Sequence, residues 1–202
     1  MSVTVILEHL YIVLMCVLFS TLVGLPLGIM AYYWPPVRKA ILRVVEILQI
    51  IPALAMLGMV MVIFGAGKLT VVIGLVLYSL LPIVHNTCIG LEGISPGIKE
   101  AARGVGLSKV DRLLTIELPL AFPMVFTGLR IATVTAVGVA VFATTVGGGG
   151  LGSIINRGIR IQNMQMILSG TLALVVMAIL FDTVMAFVEK KLYQGADIRR
   201  TK

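Results

Sequence analysis

Residues 95–119 read SPGIKEAARGVGLSKVDRLLTIELP, from Ser95 to Pro119. This is the longest polar interval in an otherwise apolar chain, and an apolar run flanks it on each side. Local rules build a short helix at its start. Ser95 is a helix N-cap residue, and Pro96 suits the first helical position, where a missing N–H costs nothing. Ile98, Ala101, Ala102 and Val105 fall at i, i+3, i+4 and i+7 and form one apolar face. Lys99, Glu100 and Arg103 lie off that face. Gly104 and Gly106 supply a stop, because glycine tolerates the left-handed conformation that ends helices. Ser108, with Asp111 three residues later, opens a second short turn as a capping pair. Leu118-Pro119 begins the next apolar run. The unit is helix, glycine break, helix, then span, and its small apolar face has no evident home inside the chain's own bundle.

Around this interval the chain is oily. It has 202 residues, 59% hydrophobic and only 12% charged, with a mean hydropathy of +1.09. Soluble domains are about half apolar and about a quarter charged. The expected class is an all-α integral membrane protein, with residues 1–202 forming one domain. Five segments approach the roughly twenty apolar residues that cross a bilayer as a helix. They cover residues 10–32, 47–64, 71–89, 122–146 and 168–188. Gly24, Pro26 and Gly28 are expected to kink the first, and Pro52 lies near the start of the second. Tyr33 and Trp34, in the turn WPPVRK, are interfacial anchors. The opening MSVTVILEHL has no Lys or Arg, and a cleavable signal needs a basic start, so the first run is expected to be a retained span. The polar tail from Gln194 to Lys202 is expected to be mobile.

The net charge of +7 is spread through the gaps between apolar runs. It therefore sets orientation and does not build a nucleic-acid surface. With the N-terminus outside, the inner gaps and tail carry Arg38, Lys39, Arg43, Lys99, Arg103, Lys109, Arg112, Lys190, Lys191, Arg199, Arg200 and Lys202. The outer gaps carry only Lys68, Arg157 and Arg160. The positive-inside rule thus predicts an outer N-terminus, a cytoplasmic C-terminus and a cytoplasmic 95–119 hairpin between spans three and four.

Catalytic signatures are missing. Gly67-Lys68-Leu69 lacks the hydroxyl residue a phosphate-binding loop needs after its lysine. There is no paired-carboxylate or Ser/His/Asp set, and no Cys/His spacing that suggests a metal site. His9 and His85 are isolated and are read as structural. Cys16 and Cys88 fall near opposite membrane faces, out of disulfide reach.

The motif EAARGVGL, followed by IELP, resembles the EAA loop of ABC importer permease subunits. PIVHNT at 82–87, GLRIAT at 128–133, VGGGGLGSII at 146–155 and QIIPALAMLG at 49–58 extend the resemblance to the osmoprotectant permeases, which carry glycine betaine, carnitine or choline. The chain departs from the family at His85, where Arg is frequent, and at Gly148, where another small residue is frequent. The matching loop positions are Glu100, Ala101, Ala102, Gly106, Ile116, Leu118 and Pro119. Pro96, Ile98, Arg103, Gly104 and Leu107 complete the loop. The resemblance implies that the short helix seats in a groove of a cytoplasmic ATPase, present in two copies, that holds the ATP and magnesium. No cofactor is expected on this chain. It also implies a second permease subunit, identical or homologous, and an extracytoplasmic binding protein, all at the cell membrane. Read from residues alone, the helix could instead lie flat on the membrane surface. The competing functions are a permease for an amino acid or betaine-like derivative, and a secondary transporter or channel.

Two other features stand out. Gly147, Gly148, Gly149 and Gly150 lie at the outer end of the fourth span, as a flexible loop or as a gate or docking surface, with Arg157 and Arg160 beyond them for an acidic partner. Arg130 and Asp182 are charges inside apolar runs, which is costly unless they pair or reach water. Either they pair or line an inner pathway, or Arg130 snorkels to the interface and Asp182 faces a polar crevice.

Overall fold

The computed structural model describes residues 2–200, with side chains described for residues 2–193. The side chains of the polar tail, Gln194 to Lys202, lie outside the described residues. The fold is all-helical among the described residues. In order it comprises α1 (Val3–Tyr33), α2 (Pro35–Ile50), α3 (Ala53–Phe64), α4 (Lys68–Glu92), α5 (Pro96–Gly104), α6 (Lys109–Arg112), α7 (Leu118–Val139), α8 (Gly152–Arg160) and α9 (Met164–Arg200). A π-helical turn, Leu113–Glu117, joins α6 to α7, and a 3-10 turn, Ala140–Val146, extends α7.

Helix α4 is the spine of the bundle, packed by α1, α7, α2 and α3. Small residues set these approaches, as they do where membrane helices pack closely. Gly24 and Gly28 of α1 sit against Ile83 and Thr87 of α4; a Cβ on Gly28 would lie 2.6 Å from the Thr87 side chain. Gly128 of α7 sits against the Pro82 carbonyl of α4, where a Cβ would fall 2.4 Å from the oxygen. Ile12, Val13 and Cys16 pack with Leu57, Val71, Leu75, Val137 and Ala140 toward one end. Leu91, Ile94, Ala121 and Val125 form the core at the other end. Both cysteines are free and buried.

The spans differ from the expected ones in three ways. First, α1 begins earlier, at Val3, and runs as one helix through Pro26. Its glycines serve close packing on α4. Second, residues 47–64 are not one helix. The chain breaks at Ile51-Pro52, and α2 and α3 meet at a bend of 102°. Pro52 removes a backbone donor and pushes Ile51 to an extended conformation, ψ 126°. Third, α9 starts at Met164 and is longer than expected. Among the described residues, four segments are long and apolar enough to cross a membrane: Val3–Tyr33, Lys68–Glu92, Lys109–Val146 and Met164–Tyr193. The bent α2–α3 pair makes a fifth when it is counted as one span.

The outer surface is apolar, as a bilayer solvent requires. Leu7, Tyr11, Leu14, Leu18 and Leu22 recur at helical spacing along α1 and are all about half exposed. Helix α9 packs chiefly on α7 and α8. It leaves Leu168, Leu172, Val175, Ile179 and Phe187 open.

Candidate functional site

The 95–119 hairpin projects from the end of the bundle where α1 and α4 finish and α7 begins. Pro96 opens α5 as expected, although Ser95 makes no side-chain cap bond. The helix ends in a Schellman turn. The Leu107 N–H donates to the Ala102 carbonyl at 3.2 Å and the Gly106 N–H to the Arg103 carbonyl at 2.9 Å, with Gly106 at φ +83°. Gly106 is therefore the stop, and Gly104 is the last helical residue. Ser108 caps α6: its Oγ accepts from the Asp111 N–H at 3.2 Å and donates to Asp111 Oδ2 at 2.5 Å.

The expected apolar face is only partly used by the bundle. Ala102 is buried, and Ile98 packs with Leu118 against the Leu91, Ile94, Ala121 and Val125 cluster. Ala101 and Val105 are exposed, Val105 by 78%. The face expected to have no home in the bundle is free at those two positions, while Ile98 and Ala102 do find one, because α5 meets the bundle along its early turns. Pro96, Glu100, Arg103 and Gly104 also face outward. Leu107, Ile116 and Pro119 are half-buried. Val110 and Leu114 on the second arm are exposed. The hairpin thus holds its own shape and offers Ala101, Val105, Val110 and Leu114 outward.

Its base is pinned by buried charge. Glu117 is fully buried and Arg112 is 6% exposed. Arg112 Nε donates to Glu117 Oε1 at 2.6 Å, and the Tyr33 hydroxyl donates to Glu117 Oε2 at 2.8 Å. Breaking such a pair from one side costs about 3–5 kcal/mol, because it leaves an uncompensated buried charge. Beside it, Lys99 Nζ donates to the Leu91 carbonyl at 2.9 Å and lies 5.0 Å above the Tyr32 ring. At the same end Arg38 of α2 makes a two-pronged ion pair with Glu92 of α4. Sequence reasoning missed Arg112, Glu117 and Tyr33 as a set. The available signal was the i, i+5 spacing of Arg112 and Glu117, which suits a π-helical turn and not the 3.6-residue period; Tyr33, 84 residues from Glu117, carries none.

At the opposite end the glycine run is bound into the bundle. The Gly148 N–H donates to the Ala143 carbonyl, and the Gly67 N–H to the Val146 carbonyl, both at 2.8 Å. His9 of α1 is fully buried; its Nε2 lies 3.0 Å from the Val137 carbonyl, and its Nδ1 accepts from the Leu151 N–H at 3.3 Å. Glu8 accepts from the Gly150 N–H at 3.4 Å and pairs with Lys68 at 3.4 Å. Gly147, Gly149 and Gly150 all have φ near +79°. Arg157 and Arg160 are exposed on α8. His9 is structural, as expected, whereas His85 is exposed on α4.

The charges within the spans are brought together. Arg130 Nε donates to Asp182 Oδ1 at 2.8 Å, and Arg130 Nη1 donates to Glu189 Oε2 at 2.7 Å. Thr127 also donates to Glu189. Glu189 was not anticipated; it lies seven residues after Asp182, two turns along the same face of α9.

Residues 24–194 match the family described as "Binding-protein-dependent transport system inner membrane component". The chain is 35% identical over 185 residues to the choline transport system permease protein OpuBB of Bacillus subtilis, covering 92% of this chain and 85% of that one. It is 41% identical over 177 residues to the glycine betaine/carnitine/choline transport system permease protein OpuCD of the same organism, covering 87% and 77%. Among solved structures, a chain of the MetNI methionine ABC transporter in an inward-facing conformation matches with a TM-score of 0.86 over 94% of this chain and 95% of that one. Identity there is 23%, so this likeness speaks to fold alone. The chain belongs to the family of inner-membrane components of binding-protein-dependent transport systems, and it is a membrane transport subunit rather than an enzyme.

Proposed function

We propose that the chain forms half of the translocation path of an ATP-driven importer for a small zwitterionic or quaternary-ammonium osmoprotectant. It crosses the membrane five times, the bent α2–α3 pair counting as one crossing. The N-terminus lies outside, and the C-terminus and hairpin lie in the cytoplasm. The observation that carries this reading is the hairpin itself, which is capped at both helices, rooted in buried charge and left with apolar residues facing away from the bundle. Such a surface fits a groove on a partner. The partner is an ATPase subunit, in two copies, which holds the nucleotide and magnesium. A second permease, identical or homologous, completes the path, and an extracytoplasmic binding protein delivers substrate at the glycine-run end, where Arg157 and Arg160 are available to acidic side chains. ATP binding draws the two hairpins together and shifts a two-state equilibrium between inward and outward access. The names of the relatives support the substrate class. His85 sharpens the placement of the path. A histidine exposed along a span is costly against lipid, so its face of α4 turns toward the path between the two permeases.

The test is reconstitution. The chain is co-expressed with an ATPase subunit and a binding protein, purified and placed in liposomes. Glycine betaine, carnitine or choline is expected to stimulate ATP hydrolysis and to accumulate inside. Accumulation that ignores ATP would point to a secondary transporter or channel.

A further inference from the structure

The hairpin is joined through the chain to α4 and to α7, and to no other span. Yet its deepest polar contact is with neither: Glu117 is held by Tyr33, the last residue of α1. We infer that Tyr33, Glu117 and Arg112 form a mechanical pin that passes movement of the hairpin to the inner end of α1. This inference rests on reading the hairpin as the ATPase contact.

Four observations support a pin rather than an incidental bond. Glu117 is fully buried, and each of its oxygens has a donor, Arg112 Nε at 2.6 Å and the Tyr33 hydroxyl at 2.8 Å. A carboxylate satisfied in this way inside an apolar setting resists separation from its partners. The backbone departs from α-helical form at this point. The turn Leu113–Glu117 is π-helical, a rare conformation frequent at functional sites, and it spans the stretch that carries Arg112 and Glu117 to the same side. The neighbouring residue repeats the arrangement with the other arm: Lys99 of α5 lies 5.0 Å above the Tyr32 ring, and the rings of Tyr32 and Tyr33 meet edge-on at 4.9 Å. Two consecutive tyrosines on α1 therefore hold one arm of the hairpin each. Finally, a cleft of about 300 Å³, lined by Ile29, Tyr33, Trp34, Lys109, Val110 and Leu113, lies beside the pin. It leaves open space between α6 and the end of α1 beside the Tyr33–Glu117 bond.

The consequence is a division of labour. A push on the hairpin moves α4 and α7 through the chain and α1 through the pin, so that the three shift together at their inner ends. The pin adds a direct polar link from the hairpin to the inner end of α1, beside the packing of α1 on α4 and the Lys99–Tyr32 contact. Tyr33 and Glu117 are positioning residues; they act on transport through α1 and touch neither nucleotide nor substrate.

The test uses the complete reconstituted complex with Tyr33→Phe, which keeps the ring and removes only the hydroxyl. Uptake and ATP hydrolysis are both measured per assembled complex. Uptake is expected to fall about tenfold, within the usual range of coupling between sites, while basal hydrolysis and recovery of the complex stay at wild-type levels. Glu117→Gln, which removes the acceptor's charge and leaves Arg112 unpaired, is the second variant and should uncouple in the same sense by a factor at least as large. The pin is overturned if uptake and hydrolysis are unchanged, if they fall together, or if only recovery of the complex falls. A wild-type complex with no ATP-driven uptake would sink the importer reading itself; a working wild type with coupled variants sinks the pin alone.

Discussion

At the hairpin end, a Cβ added to Gly104 or Gly106 would meet no atom within 4 Å, whereas at the opposite end one added to Gly152 would lie 1.9 Å from the Val141 carbonyl oxygen. Gly148, Gly149 and Gly150 are similarly hemmed in by Val71, Glu8 and His9. Both ends use glycine's left-handed backbone, at Gly106 and at Gly147, Gly149 and Gly150, yet its surroundings differ between them. At the hairpin it supplies a backbone conformation and leaves open space around it. At the glycine run it lets backbone, a carboxylate and an imidazole approach closely. The glycines of the hairpin end thus border open space, while those of the opposite end are enclosed by contacts within the chain. A sequence pattern shows glycine at both places and cannot distinguish open space from close packing.

The largest effect expected from this contrast is Gly152→Ala. The added methyl has nowhere to go but into the Val141 carbonyl, and overpacking of this kind costs about 3 kcal/mol. Thermal denaturation in detergent should show a large fall in melting temperature or loss of folded protein. A melting temperature equal to wild type would mean that the glycine end is looser than described. Gly106→Ala comes next. Its left-handed backbone costs a side-chain-bearing residue roughly 1–2 kcal/mol, paid locally in the hairpin. Melting of the bundle should change little, while binding of the ATPase subunit weakens several-fold. A bundle destabilised as much as by Gly152→Ala would erase the difference between the ends. The smallest effect is Gly104→Ala. It adds a methyl to open space on the last helical residue and raises helix propensity by about 1 kcal/mol. Melting should be unchanged or slightly higher. If ATPase binding nevertheless falls, the partner packs directly on that position.

Much of this was legible beforehand. The apolar runs announced a membrane bundle, and Ser95, Pro96, Gly106, Ser108 and Asp111 announced the hairpin, because caps and breaks are local chemistry. What escaped was long-range or off-period. Pro52 was visible near the start of a span, but the 102° bend depends on how α3 packs against α4 and the 3-10 turn. Residues 112 and 117 do not share a face at the α-helical period, so the Arg112–Glu117 pair stayed hidden until the π-helical turn was seen. His9 lies 142 residues from the Leu151 amide it caps, and no local pattern connects them. Glu189 lies 59 residues from Arg130, and no local pattern marked it as the second partner. Ala102 and Ile98 show the converse: their face was read as having no home in the bundle, yet these two pack on it while Val105 stays exposed.

The most direct measurement of the central claim is cross-linking from the exposed face of α5. Ala101→Cys places a reactive thiol outside the bundle, while Cys16 and Cys88 are buried. In the assembled complex, a thiol-reactive cross-linker at residue 101 is expected to capture the ATPase subunit, with a yield that changes when ATP is added. Cross-links to lipid alone, or none to any ATPase in a complex that still transports, would contradict it.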